Sequence, residues 1–415
     1  MLKFSPRFLG AALGFALAAV DAAELRLPPF TGELNGVVTR FALPGAPALQ
    51  WRVAAAAGRD GRIDYTIATD ADGVHVRGTA HLAANGDGTW QIDESVVEVG
   101  PWLAVLAPWL GSGWNGVTAD GKLKLTGGGE LRRGKPRGKV KVELDDAIVR
   151  KADQGWSLAG VSLHGEFSFE TDGLHWASVG PVEVAVRTIT TARFGARNLK
   201  LNASVDDKLV VALESARLEA GGGELWIDPS KVPLSPPSIK VRMHMQRVGL
   251  QDIVALVPGG LADARGRIDG ELGLGWSPKD GLELGAGRLG LRDDEPAIVH
   301  LEPSPGFLTK RVPERIALLP ASAGALARWL SPLNPAYADL SAIELGRTAL
   351  RVQSLTVEVT PEGDARGRSA SIRVVAKPVQ EHSSVGVVTF DVNVAGPLSA
   401  VLRLGMQDGV SMNVH

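Results

Sequence analysis

The chain has 415 residues, of which 45% are hydrophobic and 22% charged, so it can bury a core and is not of the disordered class. Its 44 basic and 46 acidic residues give a net charge of −2 without long runs of one sign, which excludes the electrostatic footprint of a nucleic-acid-binding protein. The absence of cysteine excludes disulfides, thiolate nucleophiles and cysteine-based metal sites.

The N-terminus has the pattern of an export signal. Lys3 and Arg7 precede an apolar stretch from Phe8 to Val20, which is too short for a membrane span, and small residues around Ala22 suit a cleavage site. The sequence therefore predicts a signal peptide over residues 1–22, with an uncleaved N-terminal anchor helix as the alternative. Either segment would send the rest of the chain across a membrane.

From about Leu49 onward, apolar and polar residues alternate with a period of two. In one such run Ile63, Tyr65 and Ile67 alternate with polar neighbours. This alternation is typical of antiparallel strands with one buried and one solvated face, and not of buried parallel strands. Turn sequences rich in Asn, Asp and Gly, such as 85–88 and 279–281, separate the runs. The predicted fold class is therefore mainly β.

Helix is expected to be scarce. Three short segments fit a helix, about Trp102–Ala107, Leu250–Leu256 and Ala321–Leu330, and each ends at or just before a proline that cannot continue it. The first two recur in a shared order. A tryptophan-containing strand precedes each, an alternating strand follows, and an aspartate pair comes next. We interpret this order as a degenerate internal repeat, with chance recurrence of common turn sequences as the alternative.

Two glycine motifs resemble nucleotide sites but lack the required context. Residues 285–290 spell G-x-G-x-x-G and residues 116–122 spell most of a phosphate-binding loop, yet alternating strand patterns surround or follow both where a helix is needed. No two histidines have zinc-ligand spacing. The aspartate pairs at 145–146, 206–207 and 293–294 are interpreted as solvated turns at strand ends. We therefore expect no enzyme activity, cofactor or metal, and an exported hydrolase is the least favoured alternative.

Long runs of amphipathic strands must cover their apolar faces. The options are a sandwich, a closed barrel, or a sheet curled into a groove whose inside is apolar. Aromatic residues make up only 5% and form no clear girdle, which does not favour an outer-membrane barrel. The candidate groove-lining residues are Ile63, Tyr65, Ile67, Val140, Val142, Leu144, Leu163, Phe167, Phe169, Leu199, Leu201, Ile239, Val241, Met243, Met245, Leu272, Leu274, Leu350, Val352, Leu355, Val357, Val388, Phe390, Val392 and Val394.

Several stretches resemble a known family. Residues 221–229 (GGGELWIDP), 248–258 (VGLQDIVALVP), 264–272 (ARGRIDGEL) and 390–398 (FDVNVAGPL) are similar to the C-terminal region of the YdbH-type, AsmA-like envelope proteins, once labelled "dicarboxylate transport". The resemblance covers roughly Gly221 to Leu404. It implies an elongated, twisted antiparallel sheet curled into a β-groove that conducts phospholipid between the inner and outer membranes of a diderm bacterium, without a cofactor.

On this resemblance, residues 23–220 are expected to form N-terminal groove repeats and residues 221–415 the C-terminal family-type region. The protein is expected in the periplasm, with phospholipid and the inner or outer membrane as partners. About 25 strands spaced by roughly 4.8 Å would give a groove of about 120 Å. A small envelope lipoprotein or a second copy could extend it by strand addition. The alternative function is a structural or assembly protein of the envelope with no lipid conduit.

Overall fold

The protein is described by a computed structural model that covers residues 31–38, 49–58, 61–71, 73–103, 114–133, 135–170, 175–191, 195–208, 210–233, 238–252, 261–277, 281–292, 294–318, 331–361, 363–365 and 367–395. Contacts divide the chain into two compact units. The first comprises Met1–Leu218, Ile227–Val241 and Trp276–Lys279, and the second comprises Glu219–Trp226, Arg242–Gly275 and Asp280–His415. The predicted division into groove regions at residue 220 stays a prediction.

The described residues form 22 β-strands and few helices, which confirms the predicted mainly β fold class. The strands are β1 (Gly32–Val38), β2 (Leu49–Ala57), β3 (Ile63–Ala71), β4 (Val74–Leu82), β5 (Gly88–Glu98), β6 (Val117–Arg132), β7 (Lys135–Lys151), β8 (Trp156–Glu170), β9 (His175–Ser178), β10 (Val182–Thr190), β11 (Gly195–Val205), β12 (Val210–Ala220), β13 (Gly223–Ile227), β14 (Ser230–Pro233), β15 (Ile239–Gly249), β16 (Leu261–Arg265), β17 (Arg267–Ser277), β18 (Gly281–Leu291), β19 (Ala297–Leu301), β20 (Leu350–Val359), β21 (Arg368–Pro378) and β22 (Val388–Ala395).

In the first unit the strands pair antiparallel in chain order. Each strand from β1 to β8 pairs with the next one, β8 pairs with both β9 and β10, and β10 pairs with β11. Such a meander needs only short connections, and the predicted turn at 85–88 supplies the one between β4 and β5. In the second unit β16 pairs with β19, β19 and β18 pair with β20, and β21 pairs with β20 and β22.

The two aspartate pairs whose geometry is described differ from each other. Asp206 lies in a turn, where its Oδ1 accepts hydrogen bonds from the backbone N–H groups of Lys208 and Val210. The pair at 145–146 was expected at a strand end, and this prediction is wrong, because both residues lie inside β7. The register with β8 shifts there, and Asp146 has a φ of 53°, as at a β-bulge. Apolar and polar residues alternate both before and after a bulge, so the sequence pattern does not show where the bulge lies.

Two glycines at matching places of the predicted internal repeat each lie close to another strand, and the repeat itself stays a prediction. Gly121 in β6 approaches β7 so closely that an added Cβ would lie 2.6 Å from Cβ of Ala147. In the second unit an added Cβ on Gly266 would lie 2.6 Å from Cβ of Ala297. The two glycines occupy matching places in the sequence repeat, each between a predicted short helix and an aspartate pair. Residues 99–103 and 250–252 are helical, as expected for the starts of the first two predicted helices.

The third predicted helix, 321–330, lies outside the described residues. A helix that the sequence analysis missed, α1 (Pro335–Glu344), follows it. Asn334 caps α1 by accepting a hydrogen bond from the N–H of Ala336 at 3.1 Å, and Pro335 takes the first helical position. The Asn-Pro dipeptide was a usable signal for this start.

The C-terminal end of α1 fastens a loop of the second unit. The Glu344 carboxylate is buried and accepts hydrogen bonds from the N–H groups of Leu308 at 2.8 Å and Thr309 at 3.1 Å, and from the Thr309 hydroxyl at 2.8 Å. Burial raises the pKa of Glu344, but the hydrogen bonds from the loop together outweigh it and hold the pKa below its ordinary value. The carboxylate therefore stays charged and binds the loop to the helix.

Candidate functional site

The first unit carries an apolar cluster that extends over strands β2 to β10. Its members occupy the positions that face one side of the paired strands, which we call the inner face. Side chains from successive strands contact each other there, because alternation places every second residue of each strand on the same side. The inner face comprises Trp51, Val53, Ala55, Ile63, Tyr65, Ile67, Ala80, Leu82, Trp90, Ile92, Val97, Leu123, Leu125, Leu131, Val140, Val142, Leu163, Phe167, Phe169, Trp176, Val182 and Val184.

The opposite, outer face of the same strands is polar and exposed. Hydrogen bonds between side chains join neighbouring strands across it, such as those of His81 with Asp64 at 2.6 Å and of His164 with Asp145 at 2.9 Å. Exposed pairs of this kind contribute little to the free energy of unfolding. The strands therefore have one solvated face and one apolar face, as the alternation predicted.

A row of aromatic and glycine residues crosses the centre of the inner face. Trp90 in β5 pairs with Gly129 in β6, Gly129 pairs with Gly138 in β7, and Gly138 pairs with Phe169 in β8. Three strand spacings amount to about 14 Å, yet the ring centroids of Trp90 and Phe169 are 5.6 Å apart. The two rings meet because the glycines between them have no side chains.

Further contacts fix the rings of this row. The Trp90 Nε1–H donates a hydrogen bond to the backbone oxygen of Arg137 at 3.2 Å, which satisfies the indole within an apolar surface. Phe169 stacks on Trp176 of β9 with centroids 4.9 Å apart. The row therefore forms an aromatic cluster that packs on the glycine backbone, and Trp90 and Phe169 are buried in it.

Some side chains of the inner face are buried, and others are partly exposed to solvent. Tyr65 is 2% exposed and Leu125 3%, whereas Ile67, Ile92 and Leu163 are only half-buried. Burial raises the pKa of the Tyr65 hydroxyl. The half-buried side chains are those that a bound apolar molecule could cover further, with a gain of about 25 cal/mol per Å² of apolar area.

The structure places the predicted lining residues in different surroundings. In the first unit, eight of them lie on the inner face, Leu144 and Leu199 are half-buried, and Leu201 packs against a small separate cluster with Leu213. Ile239 is exposed and Val241 half-buried. The predicted residues on the inner face are Ile63, Tyr65, Ile67, Val140, Val142, Leu163, Phe167 and Phe169.

In the second unit most predicted lining residues belong to another apolar cluster. Leu274 is half-buried outside it, and the side chains of Val392 and Val394 lie outside the described residues. Ile343 of α1 and Leu350 of β20 are both fully buried, so this cluster is a closed core. The predicted residues in it are Met243, Met245, Leu272, Leu350, Val352, Leu355, Val357, Val388 and Phe390.

The sequence analysis missed several inner-face residues, above all the aromatic ones. Trp51, Trp90 and Trp176 complete the surface, together with the glycines under the central row. The alternation did contain the signal for Trp90, which lies two residues before Ile92. The sequence contains no such signal for the glycines, because pairing between strands decides which glycine lies beneath which ring.

The motifs that resemble nucleotide sites lie in strands. Residues 285–290 fall within β18, and residues 117–122 of the second motif fall within β6. Within the described ranges, no three side chains of the metal-binding types converge as a metal site. In the same ranges, none of the helices has the length and apolar character needed to cross a membrane.

Comparison with known proteins gives one match. The sequence model of the YdbH-like family, described as intermembrane phospholipid transport protein YdbH, matches residues 4–305. The match confirms the resemblance to this family. It begins far before Gly221 and so extends over more of the N-terminal part than expected, and the stretch 390–398 lies beyond the matched region. No curated protein and no solved structure matches the chain.

Proposed function

Because the chain belongs to the YdbH-like family of intermembrane phospholipid transport proteins, we propose that its inner face holds the acyl chains of phospholipids and conducts them between the inner and outer membranes of a diderm bacterium. The family is one of transport proteins and not of enzymes. The proposal places the protein in the periplasm, after export by the N-terminal segment.

The observation that carries the proposal is the continuity of the inner face. Apolar side chains from β2 to β10 contact one another in one cluster that crosses these strands. A phospholipid in water exposes its acyl chains at a cost of about 0.8 kcal/mol per methylene. A continuous apolar surface offsets that cost at each position along the path, so movement needs no covalent step.

The strand direction supports a path across the strands. Each strand crosses the inner face, and the next strand presents apolar residues about 4.8 Å further on. An acyl chain that slides from strand to strand exchanges one set of aliphatic contacts for another of similar strength. Added strands would lengthen such a path, and we propose that an envelope lipoprotein or a second copy supplies them by pairing with a sheet edge.

One observation favours the alternative function, a structural or assembly protein of the envelope. The apolar cluster of the second unit is closed beneath α1, where Ile343 and Leu350 are fully buried. In this alternative the inner face of the first unit would likewise serve as a core and hold no lipid.

Purification of the full chain from bacterial cells tests the proposal. We expect native mass spectrometry to show phospholipid bound to the intact protein, and organic extraction to release it in at least equimolar amount. A protein that is lipid-free after gentle purification, and that takes up no phospholipid from vesicles, would contradict the proposed function and favour the structural alternative.

A further inference from the structure

The border of the inner face carries a group of basic residues, Arg62, Arg132, Arg133 and Lys135, which we call the basic lip. We propose that the basic lip binds the phosphate group of a phospholipid whose acyl chains lie on the inner face. This inference rests on the proposed function and assigns the polar part of the same ligand to residues of the chain.

The basic lip lies where strands turn, directly beyond the last row of the inner face. In that row Ile63 pairs with Leu82, Leu82 with Gly88, and Gly88 with Leu131. Arg62 precedes β3, Arg132 ends β6, and Lys135 begins β7. Because the strands cross the inner face, their turns form its long border. A lipid with its tails on the inner face has its headgroup at such a border.

A concavity of about 820 Å³ lies at this place. Its lining combines the four basic residues with small or apolar ones, including Ala83, Gly88 and Leu131. The volume falls within the range of sites that bind small molecules, roughly 300–1,000 Å³. Leu131 of the inner face and Thr89 and Glu130 of the outer face all line the concavity, so it lies at the border between the two faces.

The acidic residues of the concavity are occupied by other partners. The Asp87 carboxylate accepts hydrogen bonds from the backbone N–H of Arg133 and from the Asn85 amide, both at 2.8 Å. Glu130 contacts Arg137 at 2.5 Å, and Arg132 lies 3.6 Å from the same oxygen. Hydrogen bonding from Arg137 holds the pKa of Glu130 below its ordinary value, so this carboxylate stays charged and paired.

Two guanidinium groups remain for a ligand. In the described part of the chain, Arg62 and Arg133 form no ion pair, and both are exposed at the lip. The hydrogen bond from the Arg133 N–H to Asp87 fixes the turn that presents this side chain. A guanidinium donates two parallel hydrogen bonds to phosphate oxygens, which makes arginine the residue best suited to a phosphodiester.

The test compares two double variants of the full chain with equal loss of charge. Arg62→Gln/Arg133→Gln removes the two unpaired cations of the lip, and Arg77→Gln/Lys124→Gln removes two exposed cations from the middle of outer-face strands. Each protein is incubated with vesicles that contain either phosphatidylglycerol or diacylglycerol with the same acyl chains. Bound lipid is then counted by native mass spectrometry.

We expect the lip variant to bind phosphatidylglycerol about tenfold more weakly, equivalent to about 1.4 kcal/mol, and diacylglycerol as well as the unmodified chain does. The control variant is expected to bind both lipids as tightly as the unmodified chain does. High salt weakens phosphatidylglycerol binding by the unmodified chain and leaves diacylglycerol binding unchanged, because the contacts are exposed.

Three results would overturn the inference. In the first, the lip variant binds both lipids equally weakly, which would mean that Arg62 and Arg133 act only through the fold. In the second, the lip variant binds both lipids as tightly as the unmodified chain does. The headgroup is then held elsewhere, while the proposed function stands. In the third, inorganic phosphate alone binds the lipid-free chain at the lip as tightly as the lipid does, which would make the lip a site for free anions. An unmodified chain that binds neither lipid contradicts the proposed function itself.

Discussion

Replacing Ile67 by aspartate is expected to lower phospholipid binding at least about 100-fold while the fold persists. Ile67 is half-buried on the inner face and pairs with Val53 and Gly78 of the adjacent strands. A bound acyl chain would remove the new carboxylate from water without offering a hydrogen bond, at a cost of several kcal/mol. In the lipid-free protein the carboxylate keeps contact with solvent. Titration with fluorescent phospholipid and a thermal unfolding curve measure the two effects separately.

The adjacent residue supplies the matched control. Thr66→Asp adds the same charge to the same strand, but Thr66 is exposed on the outer face. We expect this variant to bind phospholipid as the unmodified chain does. If both variants bind lipid equally well, the inner face is not the lipid surface. If Ile67→Asp unfolds the protein outright, the position belongs to a closed core, as the structural alternative requires.

Adding a single methyl group at Gly138 is expected to destabilise the first unit by about 3 kcal/mol or more, at the upper end of overpacking effects. A Cβ at this position would lie 2.6 Å from Cζ2 of Trp90 and closer still to the backbone oxygen of Gly128. The ring could move only by giving up its place beside Phe169, and the backbone oxygen only by distorting the strand pair. Urea unfolding of Gly138→Ala, followed by tryptophan fluorescence, measures the loss.

Gly180→Ala is the control for this variant, because nothing lies within 4 Å of a Cβ at Gly180. We expect its free energy of unfolding to stay within about 0.5 kcal/mol of the unmodified value, as for surface substitutions in general. Equal stability of the two alanine variants would show that the rings do not lie over the glycine backbone.

The fold class could be predicted from the sequence because one-sided burial leaves a direct trace. Residues such as Tyr65 and Val140 alternate with charged or polar neighbours wherever one face of a strand is apolar. The register between strands leaves no such trace. The bulge at 145–146 inserts one residue and keeps the alternation on both sides, so it was mistaken for a strand end.

The composition of the candidate site could be predicted only in part. Phe167 and Phe169 follow from alternation, but the contact between Trp90 and Phe169 depends on two glycines that pairing brings between them. These contacts join residues far apart in the chain, and nothing local in the sequence fixes them. Likewise, Leu350 and Ile63 have the same alternation pattern, although α1 closes the core around Leu350. Tertiary packing separates a core position from a surface position where the strand pattern cannot.

Photocrosslinking in living cells tests most directly whether the inner face carries phospholipid. A photoreactive amino acid is placed at Ile92 or Val184, which are half-buried on the inner face, and at their outer-face neighbours Gln91 and Glu183. After irradiation we expect phospholipid attached at Ile92 and Val184, and none at Gln91 and Glu183. Absence of lipid at both inner positions, or equal labelling of the two faces, would contradict the account.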